Sequence, residues 1–536
     1  MTSSDGSPIQ PWYGTAWTRL KEFCVTEGGA TFIWTRWIML RAVGILFVII
    51  FWGIIGESRG LMGPDGIAPI RETMAAYAQE FPNPIVAFLR APSLFWLSSE
   101  WGMIVTLQWL GMAAAIALIF NVWPRMMLFG CWAIFLSFVA TENFFAQTQP
   151  DPLMLELTLL CIPLAPRGYW PGLAAQAAPR PIAVFALRFM LFRLMLQAGL
   201  AKFVFGNVMW RDLTAMDIMY ETAPFPTILG YWLHQLPHWF HVLEIGVTFL
   251  AEVPAPLVMI FGGRRLRWWA FGVWSFFQLG IQFSNNFAWL NVGAIGLAVI
   301  LLDDAMLAGA ARRLRLPRLA EHMVAKVKSV SLTTIQPWAL WGLRIALSLQ
   351  FVVSLYFYLA YPTRIPVERI PEVITQPMGL LFTNFRSANS YALFGNLPAE
   401  RYEVEFIGSN DGGETWRSFE FRYKIQRLDR VSPFLAPAYP RFDAILQHRL
   451  VAKTGQFMYP AVAAHLIRRD QAVLDFFVSD PFPDRPPTMI RMPEYRYHFT
   501  DLATQRATGN YWRKEYVGDW LPLVYVGPDG DIIVDQ

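Results

Sequence analysis

Long apolar stretches separated by short polar turns fill the first two thirds of the chain. They lie at roughly 37–56, 101–121, 126–145, 153–166, 181–204, 240–261, 268–283, 287–302 and 338–360. A helix of about 20 apolar residues crosses the ~30 Å hydrocarbon core, so the pattern predicts about nine spans, several near the lower length limit and open to re-entrant geometry. After about 361 the pattern becomes that of a water-soluble domain. In YEVEFIGSNDGGETWRSFEFRY, Tyr402, Val404 and Phe406 alternate with polar residues, and so do Phe419, Phe421 and Tyr423, which predicts a β-hairpin. Its turn holds Ser409, Asp411, Gly413, Thr415 and Trp416, the pattern SxDxGxTW. Such a turn is structural: the Asp side chain bonds backbone amides and Trp416 packs behind it. Residues 441–478 read as helical, and MIRMPEYRYHFT (489–500) as a strand. The expected fold is a polytopic α-helical membrane bundle followed by a C-terminal β-rich (α+β) domain with its own core.

Composition and charge add orientation. With 55% hydrophobic residues, 23 Trp and 42 Phe, the chain is too apolar for a soluble protein of its length. The net charge of +4 is small and lies in short loops, not in a stripe for nucleic acid, so no nucleic-acid partner is expected. Basic loops at Arg125, Arg167/Arg180, Arg264/Arg265/Arg267 and Arg312–Lys328 alternate with loops at 146–152 and 284–286 that carry no Lys or Arg. By the positive-inside rule this places the N-terminus in the cytoplasm and residues 361–536 outside it. The expected units are a cytoplasmic segment 1–36 with Arg19, Lys21 and Arg36, a bundle 37–304, a connector 305–336, a last span 337–360 and the outer domain. No cleavable signal peptide is expected, and the first span serves as an anchor. The connector reads either as a basic amphipathic helix on the anionic cytoplasmic surface or as a plain linker. The setting is the bilayer of a bacterial inner membrane or of the ER. Cys24, Cys131 and Cys161 lie far apart, so no disulfide framework or cysteine metal site follows.

The stretch 188–304 carries the candidate chemistry. Its first helix holds Arg188, Arg193, Gln197 and Lys202. Ionisable residues near the centre of a span cost about 2.5–3.5 kcal/mol each on insertion scales and are functional candidates by default. At about 100° per residue, Lys202 falls within about 40° of Arg188, with Arg193 and Gln197 on nearly the opposite face, so the helix belongs inside a bundle. Topology brings Asp151, Glu156, Lys202, Glu142, Glu244, Gln278, Gln282, Asn285 and Asn291 to the outer half of the membrane. They predict a polar cavity open to the outside, bordered also by Arg188, Arg193, Gln197, Trp210, Arg211, Asp212, His234 and His241. Within it Lys202 is expected to pair with Glu156 or Asp151. Asp151 reads first as a helix cap before Pro152, and Glu156 equally as a structural ion pair or a functional group. Lys202 reads as a snorkelling residue or, desolvated, as a general base. Glu252 lies deeper and faces the bundle. His234, His238, His241 and Glu244 invite a metal reading, but Pro237 interrupts them, and packing is the better account. No metal is predicted. Nucleotide loops, GxSxG and HExxH are absent.

At these residues the chain resembles the lipase maturation factor family. The matching stretches are RFMLFRLMLQAGLAKF, WRDLTAMDIMYETAPFPT, HQLPHWFH and the run from NNFAWLN to Asp303–Asp304. Beyond the bundle they are YALFG, RYEVEFIGSNDGGETWRSFEFRYK, DPFPDRPPTMIRMPEYRYHFT and YWRKEYVGDWLP. The similarity covers most of 60–525, and QPDPLMLE (149–156) departs from the family pattern, which tends to place a Trp before the Asp. The resemblance implies a membrane-bound factor that brings exported clients such as lipases to a folded, active state, without catalysis of its own. Its client surface would use exposed aromatics, with Trp210, Trp232, Trp239, Trp416 and Trp512 as candidates. AGLAKF is also similar, at motif level, to the membrane core of vitamin K-dependent γ-carboxylase, where the matching lysine acts as a base. This implies a second reading, in which Lys202, with Glu156 and Asp151, works on a quinone or lipid. No cofactor is otherwise expected.

Overall fold

The computed structural model describes residues 18, 32–141, 150–172, 178–204, 208–328, 337–363, 371–452 and 456–535. Arg19, Lys21, Cys24, Glu142 and the end of the connector (329–336) lie outside the described residues. The apolar stretches fold as helices: α1 (Ile33–Met62), α2 (Trp101–Ile119), α3 (Pro124–Val139), α4 (Pro150–Leu164) and α5 (Pro181–Val204). Two short helices follow, α6 (Ala215–Thr222) and α7 (Ile228–His234), and then α8 (His238–Glu252), α9 (Pro254–Phe261), α10 (Arg264–Asn285) and α11 (Leu290–Ala298). Pro237 caps α8 and leaves His234 on the preceding helix, as the proline predicts.

Among the described residues, five helical stretches are long and apolar enough to cross a membrane: α1, α2, α5, α8 with α9, and the start of α14 (Pro337–Thr363). A sixth forms if α11 with its 3-10 extension and α12 (Asp304–Arg313), bent by 103°, count together. The other expected spans are helical but shorter or more polar. α4 is almost entirely buried, so protein surrounds it. α5 is likewise enclosed, whereas α14 is mostly uncovered and meets α5 through contacts such as Phe351 against Phe189, with ring centroids 4.5 Å apart.

The connector is a pair of helices, α12 and α13 (Pro317–Lys328), closed by Arg315 in the left-handed region. Its small face, Ala308, Ala311 and Ala320, packs on Trp34. Asp304 accepts hydrogen bonds from the backbone N–H groups of Ile33 (2.9 Å) and Trp34 (2.8 Å), orphan donors at the start of α1. Asp303 caps its own helix through Met306 N–H (3.0 Å) and pairs with Arg264 and Arg267.

The C-terminal part is an antiparallel sheet ordered β3-β2-β4-β5-β6, with β1 also paired to β4. The strands are β1 (Arg401–Val404), β2 (Phe406–Ser409), β3 (Arg417–Phe419), β4 (Met489–Phe499), β5 (Trp512–Val526) and β6 (Ile532–Val534). The expected hairpin forms between β2 and β3, with Phe406 opposite Phe419. It is shorter than the alternation predicts, because Glu405 breaks the strand and Arg401–Val404 pairs with β4 instead. Asp411 accepts from Thr415 N–H (2.9 Å) and Ser409 Oγ accepts from Gly413 N–H (3.0 Å), so the turn is built as its side chains predict. Helix α15 (Arg441–Ala452) sits between β1 and α1, and α16 (Met458–Arg468) packs on β4 and β5. The expectation of a separate core does not hold: one cluster of buried side chains runs from α1 through α4 and α5 into Phe406, Phe442 and Ile490. The junction is tight, since a Cβ at Gly60 would overlap the Ala472 carbonyl.

Candidate functional site

α5 is the axis of the site, and its polar residues are held on two faces. On one, Arg193 pairs with Glu156 of α4 and donates to Asn389 O (2.8 Å). Gln197 accepts from Tyr391 N–H (2.7 Å) and donates to Ser390 Oγ (2.7 Å). Glu156 also accepts from Asn389 N–H (2.9 Å), the Tyr391 hydroxyl (2.8 Å) and Gln350 of α14 (3.0 Å). The shared face of Arg193 and Gln197 is therefore the seat of the loop that leads into the sheet. On the other face, the Lys202 ammonium bonds both carboxylate oxygens of Glu252 (2.9 and 2.8 Å) and the carbonyls of Leu393 (3.2 Å) and Ala198 (3.4 Å). It stands 5.1 Å from the centroid of Trp210, whose indole N–H donates to Phe394 O (2.9 Å). A Cβ at Gly199 would come within 2.9 Å of Glu252 Cβ, so this glycine sets the approach of α8. Buried ions need partners of this kind to stay charged in an apolar interior.

The expected pairing of Lys202 with Glu156 or Asp151 is thus replaced. Its partner is Glu252, which faces the bundle as anticipated. Asp151 instead forms a two-pronged pair with Arg441 of α15 (2.9 Å on each oxygen), and Arg441 N–H donates to Glu57 of α1 (2.7 Å). The reason is reach: α4 and the C-terminal end of α5 are separated by the 386–394 loop, which fills the space with its own donors.

Beside Lys202 lies a cavity of about 400 Å³ among α5, α6, α8 and α10. Its walls are largely apolar, including Met216, Met219, Val247, Phe276 and Ile281. This corrects the expected polar cavity. Of the residues assigned to it, Lys202, Trp210, Glu244 and Asn285 line the space. Glu244 accepts from the Tyr220 hydroxyl and bonds His241 Nδ1 (2.9 Å). Arg193 and Gln197 face the loop, and Arg188 lies over Phe32 with 4.9 Å to the ring centroid. Gln278 contacts Met195 Sδ (3.7 Å), and Gln282 donates to Ala288 O (3.2 Å). Asn291 donates to Gln278 O (3.1 Å). Arg211 and Asp212 are exposed.

The three histidines go to three different carboxylates. His234 stands 4.0 Å from Glu221, His238 2.9 Å from Asp217 and His241 2.9 Å from Glu244. Among the described residues no His/Cys/Asp/Glu group converges as a metal site. Of the aromatics named for a client surface, Trp232 and Trp239 are exposed, and Trp416 is half-buried beneath Arg491. Trp210 and Trp512 are buried and drop out. Trp512 stacks on Phe499 at 4.1 Å and donates to Arg430 O (3.1 Å).

The residues missed from sequence are those across the junction: Asn389, Tyr391, Arg441, Arg401 and Glu221. Arg401 donates to the carbonyls of Glu221 (3.0 Å) and Pro224 (3.1 Å), and Glu221 accepts from Phe499 N–H (2.7 Å) and bonds His498 (3.0 Å). The one available signal was two buried-type arginines in otherwise apolar or strand-like surroundings.

The model of the lipase maturation factor transmembrane domain matches residues 34–309, and that of the lipase maturation factor C-terminal domain matches 387–522. The chain is 27% identical to lipase maturation factor 1 of Mus musculus over 517 residues, 92% of this chain and 87% of that protein. Its identity to the Homo sapiens counterpart is 26% over 510 residues, covering 92% and 88%. With lipase maturation factor 2 of Mus musculus it is 25% over 588 residues, covering 91% and 83%. No solved structure matches the chain.

Proposed function

The chain belongs to the lipase maturation factor family, and on that footing we propose that it is a membrane-embedded maturation factor for an exported, lipase-like client. The observation that carries this reading is the length of the correspondence, which takes in both the bundle and the sheet together with the junction between them. A factor that assists folding by contact needs a stiff platform and an apolar surface to offer. The ion pairs at the junction supply stiffness, and the exposed Trp232 and Trp239 supply apolar surface where α7 meets α8. In this reading the sheet domain lies on the extracytoplasmic side of the inner or ER membrane, where the client folds, and Lys202 is a structural ion. Its engagement by both oxygens of Glu252 and two carbonyls supports that role over base chemistry.

The test is the specific activity of a secreted lipase co-expressed with the wild-type chain, with Trp232→Ala/Trp239→Ala, or with neither. The wild type should raise activity per milligram of lipase, and the double variant, at equal abundance, should lose most of the gain. No gain from the wild type with any of several lipases would overturn the reading.

A further inference from the structure

We infer that the cavity beside Lys202 is a binding site for a neutral lipid with a free hydroxyl group, entered sideways from the bilayer. Its volume of about 400 Å³ lies in the range of roughly 300–1,000 Å³ usual for small-molecule sites. The walls suit an alkyl chain. The mouth is framed by Leu243 (57% exposed) and Val247 on α8 and by Phe276 (73% exposed) on α10. α8 belongs to a stretch, His238–Phe261, apolar and long enough to cross a membrane. An opening flanked by exposed apolar side chains on such a helix faces acyl chains, so a lipid can insert one chain and leave the rest outside.

The polar lining selects the head of the ligand. Its donors are already engaged by the protein: Lys202 by Glu252, Trp210 by Phe394 O, Tyr220 by Glu244, Thr248 by Glu244 O and Ser284 by Gly280 O. What is left over is an acceptor. Asn285 is 1% exposed and lines the cavity; its Nδ2 donates to Ser284 Oγ (2.8 Å), and its Oδ1 has no hydrogen-bond partner among the described residues. A buried carbonyl without a partner is destabilising and is normally satisfied by a donor. The lining also carries two carboxylates, Glu244 and Glu252, against one lysine, which disfavours an anionic ligand. A carboxylate, a triester or a quinone brings acceptors where the site calls for a donor, whereas a hydroxyl supplies one. Occupancy does not depend on the identity of the client.

The experiment uses the full chain in phosphatidylcholine nanodiscs and a diacylglycerol with a diazirine on one acyl chain. After irradiation the labelled peptides are mapped. Labelling should concentrate on residues 243–248 and 276–281 and be displaced by unlabelled diacylglycerol. The acetylated analogue should compete about tenfold less well, the worth of one hydrogen bond, and oleic acid and ubiquinone no better than the analogue. A Cβ at Gly280 meets nothing within 4 Å, so Gly280→Phe fills the space and should abolish the focused labelling. Asn285→Leu should erase the preference for the free hydroxyl while chain labelling persists. Labelling spread evenly over the outer helices, equal competition by the acetylated lipid, or stronger competition by the acid or quinone would each overturn the proposal. If either variant fails to fold, the wild-type competition series alone decides.

Discussion

At the scale of single residues, Lys202 and Glu252 show what a buried ion pair does. Both are nearly inaccessible, and each answers the other's charge. Removing one partner leaves an uncompensated charge, at a cost of about 3–5 kcal/mol, whereas an apolar pair of similar volume is often neutral. Lys202→Met should therefore lower the unfolding temperature in detergent markedly, and Lys202→Met with Glu252→Leu should recover most of it. If the double variant is as stable as wild type yet supports no lipase maturation, the pair does more than hold α5 to α8. Asp443, outside the membrane-spanning helices, gives a pH signature. Burial pushes its carboxyl up to about 6, against the pull of the Lys424 and Tyr423 N–H groups. The unfolded chain releases this proton near 3.9. Between those values the folded state holds more protons, so the contribution of Asp443 to stability is fully present below about 3.9 and falls as pH rises toward 6. The unfolding temperature of wild type minus that of Asp443→Asn should decrease across this window; a flat difference would show that burial is not acting on the carboxyl.

Between elements, the contacts join helices far apart in sequence. Arg441 of α15 grips Asp151 of α4 with both guanidinium prongs and lies over Trp289, 5.3 Å from the ring centroid. A lysine cannot reproduce that planar fork. Arg441→Lys should loosen α15 from α4, raising hydrogen exchange in 441–468 well above that in α1, which does not depend on this pair for its cap. Equal protection in variant and wild type would assign the docking to apolar packing alone. The same geometry explains what was legible in the sequence. The angular separation along α5 correctly set Arg193 and Gln197 on one face, Pro237 correctly divided His234 from α8, and the Ser409–Trp416 turn followed from its own side chains. These are local properties, fixed by periodicity, proline geometry and short-range hydrogen bonds. The partner of each charge was not legible, because Glu252, Asn389 and Arg441 meet their partners only after the chain has crossed the bundle and returned. Matching membrane depth brought Asp151, Glu156 and Lys202 together on paper, but depth says nothing about rotation around the bundle. Trp512 was misplaced for a similar reason: an aromatic in a strand can face either side, and only the neighbouring α6–α7 segment makes its side of the sheet an interior.

Over the whole molecule, the sheet and the bundle share one continuous cluster of buried side chains, although composition divides them near residue 361. Besides the seat of the 386–394 loop on α5, buried residues bind the parts polar group to polar group at Arg441, Arg401 and Asn286. Arg441 meets Asp151 and Glu57, Arg401 meets the carbonyls of Glu221 and Pro224, and Asn286 bonds Leu435 N–H (3.0 Å), Ala436 N–H (3.2 Å) and Pro433 O (2.8 Å). Arg401 and Arg441 are each 1% exposed and take acceptors from the bundle, so a sheet domain without it would lose these bonds and leave both guanidinium groups to water. It would also leave open the apolar faces of α15 and of Phe442 and Phe476, which pack toward α1. Residues 371–536 expressed alone should therefore fail to give a cooperative thermal transition, while the full chain in detergent melts its sheet and its bundle in one step. Tryptophan fluorescence, weighted to the bundle, and near-ultraviolet circular dichroism of the Tyr495–Tyr516 pair, within the sheet, offer two probes of that coincidence. Two separate transitions, or a stably folded fragment, would mean that the junction contacts are an interface between independent domains. A single transition would mean that the sheet is braced directly against the helices of the bundle and that the two parts fold as one unit.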